Sequence, residues 1–338
     1  MKKPRITARE VASAAGVSVS AVSRAFTEGA SISPRTRKKV LKAAETLSYT
    51  PNVLARSLMT QRSRLIGIVS TNFRNPAFME IFDRFTMALQ ERRLRPLIFN
   101  LSASTNYDDA LELLLQYRAD GVIVASSTLP QAFFNALEKS DIPAVVAFGR
   151  SLTPGSIGSV AADNADGGAV AARMLHERGY QKIGFVGGPR NATTTIDRRR
   201  GFLEVIERNG LSCVETFADR YAHSAGMKAA ESLLSKHNDL EALFCGDDIV
   251  AMGAADVIRS KGKRIPDDIG LIGFNDISMA RWPAYDLTTI RQPFEDIVEN
   301  AVAMIDDQID GEGGAAQIRL FACKAVVRGT LRSTKETS

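Results

Sequence analysis

The 338-residue chain is short of the residues that much enzyme and metal chemistry needs. Its three cysteines, Cys213, Cys245 and Cys323, are odd in number and far apart, which speaks against a disulfide framework and a Cys-x-x-Cys metal site. The three histidines, His176, His223 and His237, have no partner at ligand spacing, so no zinc site is expected. No apolar run approaches the roughly 20 residues of a membrane-spanning helix. Met1-Lys-Lys-Pro-Arg5 is basic, but Ile6–Val11 is not the core of a secretion signal, so a cytoplasmic location is expected. A Gly-x-Ser-x-Gly elbow, a Walker loop and a Gly-x-Gly-x-x-Gly loop are all missing, and Gly184-Phe-Val-Gly-Gly188 lacks the order such a loop needs. Asp247-Asp248 could suggest metal-assisted chemistry, but adjacent side chains diverge on a strand or helix. No catalytic residue, metal or cofactor is expected.

Acids are scarce in one region. Residues 1–64 hold thirteen Lys and Arg against Glu10, Glu28 and Glu45, a net +10, which leaves −5 for the rest of a +5 chain. A small basic head on a mildly acidic body is the electrostatic footprint of nucleic-acid binding.

Within that head, Thr7–Phe26 reads as two short helices and a tight turn. Thr7 can cap the first helix, with Glu10 closing a capping box, and Gly16 permits the positive φ of a sharp turn. Ser18 can cap the second helix, where Val22 and Phe26 point inward four residues apart. Its outward side carries Val19, Ser20, Ser23 and Arg24: short hydroxyls, a methyl-bearing residue and one Arg, suited to a major groove. Taken alone the pattern is equally that of an ordinary helical hairpin. Ser33-Pro34 starts a third helix that runs to about Ser48, burying Val40, Ala44 and Leu47. Arg35, Arg37, Lys38, Lys39 and Lys42 lie near its start and on its outer side. Asn52–Arg64 has a turn or two of helical pattern (Val53, Leu54, Leu58) with basic flanks. It reads either as a linker or as a hinge that becomes helical on DNA.

From Leu65 onward short apolar runs alternate with helical stretches. Residues 65–69, 97–99, 121–125 and 144–147 read as buried strands, with helices around 77–92, 107–118 and 130–139. After a Gly/Ser-rich break at 155–159 the rhythm restarts with strands at 183–186, 242–245 and 270–274. Helices are expected near 166–178, 198–209, 224–236 and 248–261. Two such α/β units form a cleft, and ligands sit at the carboxyl ends of the strands. Phe73, Asn75 and Phe78 follow the first strand, and Arg198 lies on a loop-to-helix passage after the fifth. Tyr221 precedes a helix, Asp247-Asp248 follow Cys245, and Asn275-Asp276 follow Phe274. Arg, carboxylates, an amide and aromatic rings suit a polyhydroxylated ligand. Individually, Asp248 and Asp276 are equally helix caps and Arg198 a surface charge.

The run Thr7-x-x-Glu-Val-Ala12, Ala15-Gly-Val-Ser18, Val22-Ser-Arg24, Ser33-x-x-Thr36-Arg, Leu47-x-Tyr49-x-Pro-Asn52 and Ala55-Arg-Ser-Leu58 resembles the head and hinge of the lactose-repressor (LacI/GalR) family of bacterial transcription regulators. The resemblance covers residues 5–60 without gaps. Further on, Asp163-Asn164, Gly167-Gly168, Gly187-Gly-Pro189, Arg198-x-x-Gly-Phe202, Gly273-Phe-Asn-Asp276 and Thr289-Ile-x-Gln-Pro293 resemble that family's periplasmic-binding-protein-like effector domain. The fold implied is a small all-α helix-turn-helix head on an α/β body of two doubly wound parallel-sheet subdomains. Its divisions are a head over 1–50, a hinge over 51–63, a first subdomain from 64–162 with 293–322, a second from 163–292 with 323–332, and a polar tail over 333–338.

The resemblance further implies that Val19, Ser20 and Arg24 read bases, with Thr7, Ser23, Thr36, Asn52 and Ala55 also at the DNA, and that Leu58 is a wedge between central base pairs of a palindromic operator. Phe73, Phe78, Arg198, Tyr221, Asp247, Asn275 and Gln292 would hold an effector: a sugar, sugar phosphate or polyol. The sequence departs from the pattern at Asp247, where Asn is usual, at Asn275, where Asp is common, and at Ala147, where many relatives place a ligand-binding Asp. The expected protein is a cytoplasmic, nucleoid-associated homodimeric repressor with double-stranded DNA and a small effector as partners. An α/β carbohydrate-processing enzyme and a stand-alone sugar-binding protein are the disfavoured alternatives, since neither accounts for the basic head.

Overall fold

In the computed structural model the chain divides into two compact units, residues 1–64 and 65–338. The structure describes residues 6–27, 29–50, 62–101, 107–151, 155, 157–312 and 316–334. Asn52, Ala55 and Leu58, and with them most of the expected hinge, lie outside the described residues.

The head is built from α1 (Ala8–Ala15), α2 (Val19–Ala25) and α3 (Pro34–Thr46). Thr7 and Glu10 form the full capping box: the Thr7 hydroxyl accepts from the Glu10 amide while the Glu10 carboxylate accepts from the Thr7 amide at 2.7 Å. Gly16 ends α1 at φ 63°, a conformation that a side chain would strain, and this turns the chain into α2. Ser18 and Ser33 cap α2 and α3, each through its hydroxyl to an amide three residues on. Val11, Ala12, Val22, Ala25, Val40 and Ala44 form the core of the unit, with Phe26 and Leu47 packed partly buried on it. So small a core leans on its caps, each of which contributes about 1 kcal/mol.

The body begins with β1 (Leu65–Ser70), α4 (Pro76–Glu91), β2 (Arg95–Asn100), α5 (Tyr107–Gln116), β3 (Gly121–Ala125), α6 (Gln131–Lys139), β4 (Ala144–Ala147) and β5 (Gly158–Ala162). It continues with α7 (Asn164–Glu177), β6 (Lys182–Gly187), α8 (Thr193–Arg208), β7 (Ser212–Phe217), α9 (His223–Lys236), β8 (Ala242–Cys245), α10 (Asp248–Ser260), β9 (Gly270–Asn275) and a 3-10 turn (Ser278–Arg281). The last elements are β10 (Thr288–Arg291), α11 (Phe294–Ile309), β11 (Ile318–Phe321) and β12 (Lys324–Val326). One sheet has the order β11-β5-β4-β3-β1-β2, and the other β12-β10-β9-β8-β6-β7. All pairings are parallel except β10 with β12. The chain crosses between the sheets after β5, after β10 and after β11, and α11 packs on α4, β3, β4 and β5 of the first sheet. The strands at the centres of both sheets are buried along their length, which is why their sequences are nearly all apolar.

Two expectations are corrected. The Gly/Ser-rich stretch is not a break at its far end: Gly158–Ala162 is the buried strand β5. Its residues are small because α11 lies close above it; a Cβ at Gly158 would sit 2.9 Å from the Met304 sulfur. Arg198 is not at the entrance to its helix but more than a turn inside α8, which starts at Thr193. The β-branched run Thr193-Thr-Thr195 disfavours helix locally, yet the hydroxyls of Thr194 and Thr195 both bond the Tyr221 hydroxyl, at 2.8 and 2.9 Å, and tertiary structure wins.

Candidate functional site

The first candidate surface is α2. Its buried face is Ala21, Val22 and Ala25, which leaves Val19, Ser20 and Arg24 exposed and Ser23 half-buried. Val19 is 47% exposed and available for a methyl contact. The Ser20 hydroxyl lies 2.9 Å from that of Ser18 and accepts from Arg24 Nη2 at 3.5 Å, so the one long side chain is already leaning along the exposed face. Thr7 is exposed beside its cap, and Thr36, half-buried, donates its amide to Ser33. Arg35, Lys38, Lys39 and Lys42 stand out from α3 as expected. Arg37 does not. Its guanidinium turns inward and donates to the carbonyls of Ala25, Thr27 and Ala30, pinning the end of α2 to α3.

The second candidate site is the cleft of the body. Phe78, Arg198, Tyr221, Asp247, Asn275 and Gln292 line one cavity of about 30 Å³. Phe73 does not reach it; its ring stacks on Phe82 with centroids 4.8 Å apart. Ala147 is fully buried within β4, and the residue that meets the cavity is Phe148, held at φ 62°. Asn72, Asn75, Ala77, Ile81, Ser127 and Thr194 complete the lining. Direction and backbone twist, which composition does not reveal, decide these assignments. Phe148 had no signal in the sequence, whereas Ser127 and Thr194 could have been found as polar residues after an apolar strand and in the first turn of an Arg-bearing helix.

Arg198 is 3% exposed. Its Nε donates to Asn164 Oδ1 at 2.8 Å and Nη1 to the Gly246 carbonyl at 2.5 Å, and the guanidinium lies 3.7 Å above the Phe274 ring. The glycines of the sequence motif permit this: a Cβ at Gly168 or Gly201 would strike the carbonyls of Arg198 and Ala165, so α7 and α8 pack backbone against backbone. Burial lowers the Arg198 pKa, opposed by Tyr221 and Asp247.

Asp247 caps α10 through Oδ1 to the Ile249 amide, while Oδ2 accepts from the side-chain amides of Asn75 at 2.8 Å and Asn275 at 2.9 Å. Burial raises its pKa, countered by Arg198 and these hydrogen bonds. Asn275 accepts in turn from Gln292 Nε2 at 2.5 Å. Two of the three departures from the family pattern are thus bonded to each other, with carboxylate and amide transposed. Among the described residues, Gln292 Oε1 and Asn72 Nδ2 are buried atoms in this lining with no hydrogen-bond partner.

Two supports lie outside the cavity. Asp248 faces away from Asp247, accepting from the Ile277 amide at 2.9 Å and bonding Thr289 at 2.5 Å, so the pair does not converge on a metal. Asp276, at φ 59°, is held by Arg291 and Arg328, both at 2.6 Å, which braces Asn275 at φ 122° beside it. No helix among the described residues is long and apolar enough to cross a membrane.

Both units of the chain have relatives among known proteins. Residues 7–52 match the model of bacterial regulatory proteins of the lacI family, and residues 172–331 match a periplasmic binding protein-like domain. The HTH-type transcriptional repressor PurR of Yersinia enterocolitica is 32% identical over 308 residues, 90% of each chain. That of Proteus mirabilis is 32% identical over 317 residues, 92% of each. Among solved structures, a Lacl family transcriptional regulator from Silicibacter pomeroyi superposes at TM-score 0.77 and 27% identity, over 97% of this chain and all of that one. The lac repressor dimer bound to operator and the anti-inducer ONPF superposes at 0.87 and 24% identity, over 97% of this chain and 99% of that one, a likeness of fold.

Proposed function

The chain belongs to the lactose-repressor family of bacterial transcription regulators, and from that we propose how its two sites work together. It is a transcriptional repressor with a DNA-binding head and a ligand-binding body, not an enzyme. In our reading, it acts in the cytoplasm on the nucleoid as a homodimer, and each head reads one half of a near-palindromic operator through Val19, Ser20 and Arg24. Residues 51–63 form the hinge, and Leu58 is the wedge in the minor groove.

The effector is a sugar, sugar phosphate or polyol held between the subdomains by Arg198, Asp247, Asn275 and Gln292, with Phe78 and Tyr221 against its apolar faces. Binding changes operator affinity because the ligand prefers one of the two cleft states, which the hinges transmit. One observation carries this reading: four polar side chains, each no more than 7% exposed, converge on one small cavity from four separate strand ends or helices. Protein hydrogen bonds satisfy most of these groups, but Gln292 Oε1 and, in the same lining, Asn72 Nδ2 are buried without partners, a cost that a ligand's own polar groups would relieve. The test is a thermal-shift screen of sugars, sugar phosphates and polyols, with each hit assayed on DNA upstream of the protein's own gene. Arg198→Ala should abolish the response to a hit while keeping DNA binding; an unchanged response would remove the cleft from the mechanism.

A further inference from the structure

We infer that Asn75 is the latch of the cleft: its amide bond to Asp247 holds the two subdomains closed, and an effector must take that bond over. This deepens the reading of the cleft as the effector site and rests on it. Asn75 belongs to the first subdomain, between β1 and α4, and Asp247 to the second, 172 residues on. Both are 2% exposed, and the 2.8 Å bond between them crosses the cleft directly. Asn75 spends its two ends on different tasks. Oδ1 caps α4 by accepting from the Ala77 amide at 3.0 Å, which fixes Nδ2 toward Asp247.

Closure is visible on both flanks of this pair. The Thr193 amide donates to the Ser127 carbonyl at 2.9 Å, and the Ser278 amide donates to Glu80 Oε1 at 2.7 Å. Each joins the first subdomain to the second. Between them the cavity of about 30 Å³ holds little more than a water, against the roughly 300 Å³ at the small end of ligand sites. A ligand therefore enters only if the Asn75–Asp247 bond opens. The group that replaces it must donate to Asp247 Oδ2 and accept from Asn75 Nδ2. A neutral hydroxyl does both, whereas a carboxylate or an ionised phosphate has no proton to give Asp247. Asn72 Nδ2 and Gln292 Oε1, buried there without partners, offer one further donor and one acceptor to the same ligand.

The test is amide hydrogen exchange on the full-length protein, with no ligand added. Asn75→Asp keeps the cap, since Asp caps a helix as well as Asn, but sets carboxylate against carboxylate across the cleft. The Thr193 and Ser278 amides should then exchange about tenfold faster, while Ala77 at the start of α4 is unchanged. The exchanged pair, Asn75→Asp with Asp247→Asn, restores a donor facing an acceptor, with the Asn275 and Gln292 side-chain amides turning over so that Asn275 Oδ1 meets the new donor and Gln292 Oε1 accepts from Asn275 Nδ2, and should bring both amides back to within about threefold of the parent. Parent-like protection in Asn75→Asp, or no recovery in the double variant, would overturn the latch. Because this readout needs no effector, its failure is separable from an unchanged effector response in Arg198→Ala, which would instead overturn the cleft reading.

Discussion

Asp247 and Asp248 are consecutive, yet their side chains serve different ends. Asp247 lines the cleft. Asp248, fully buried, ties α10 to Ile277 and to Thr289 of β10. Burial pushes the Asp248 carboxyl up to about 7, with Asp247 and Asp276 adding to the rise and the bonds to Thr289 and Ile277 opposing it. Its folded-state pKa thus lies above the unfolded value of about 3.9. The stability it contributes is fully present below about pH 4 and is lost as pH rises through about 7. Melting temperature should fall between pH 5 and pH 8, and Asp248→Asn, which bonds the same partners without ionising, should flatten that slope. An identical slope in thermal unfolding of the two proteins would refute it. At this scale the sequence revealed residue types but not directions. Arg198 from within α8, Tyr221 from the approach to α9 and Gln292 from the end of β10 converge on the cleft. Phe73 and Arg37 had the right chemistry, but one turns to stack on Phe82 and the other to three carbonyls.

Among the elements, caps were the most legible feature. Thr7, Ser18 and Ser33 act through local hydrogen bonds, and local bonds are written in local sequence. Central strands were legible too, because burial on both faces demands continuous apolar runs. Elements set by distant partners were not. β5 is made of small residues to fit beneath α11, and β7 is a half-exposed edge strand, Ser212–Phe217, without an apolar run. The expected hinge lies outside the described residues and makes its own prediction. Leu58→Ala should weaken operator binding sharply, by about tenfold or more, since it removes the apolar wedge that offsets the cost of unstacking. The response of the melting temperature to an effector should be unaffected. Equal operator affinity in a gel-shift titration would take the wedge role away from Leu58.

For the molecule as a whole, the charge division was the first sign of its organisation: +10 on residues 1–64 and a mildly acidic remainder. A basic head binds any DNA electrostatically, and in the function proposed above the few exposed side chains of α2 supply the choice of sequence. The body supplies the condition. Its two sheets are joined by three crossings, and in the function proposed above closing the cleft moves whole subdomains and so reaches the hinges. If one chain links a cleft and an operator, the link must be reciprocal. The most direct measurement is therefore effector affinity by calorimetry, made on the free protein and again on the operator complex, beside operator affinity with and without that effector. The account predicts that the two ratios agree, at about 5- to 150-fold for a coupling of roughly 1–3 kcal/mol. An effector that binds the cleft with the same affinity in both cases, leaving operator affinity unchanged, would contradict it.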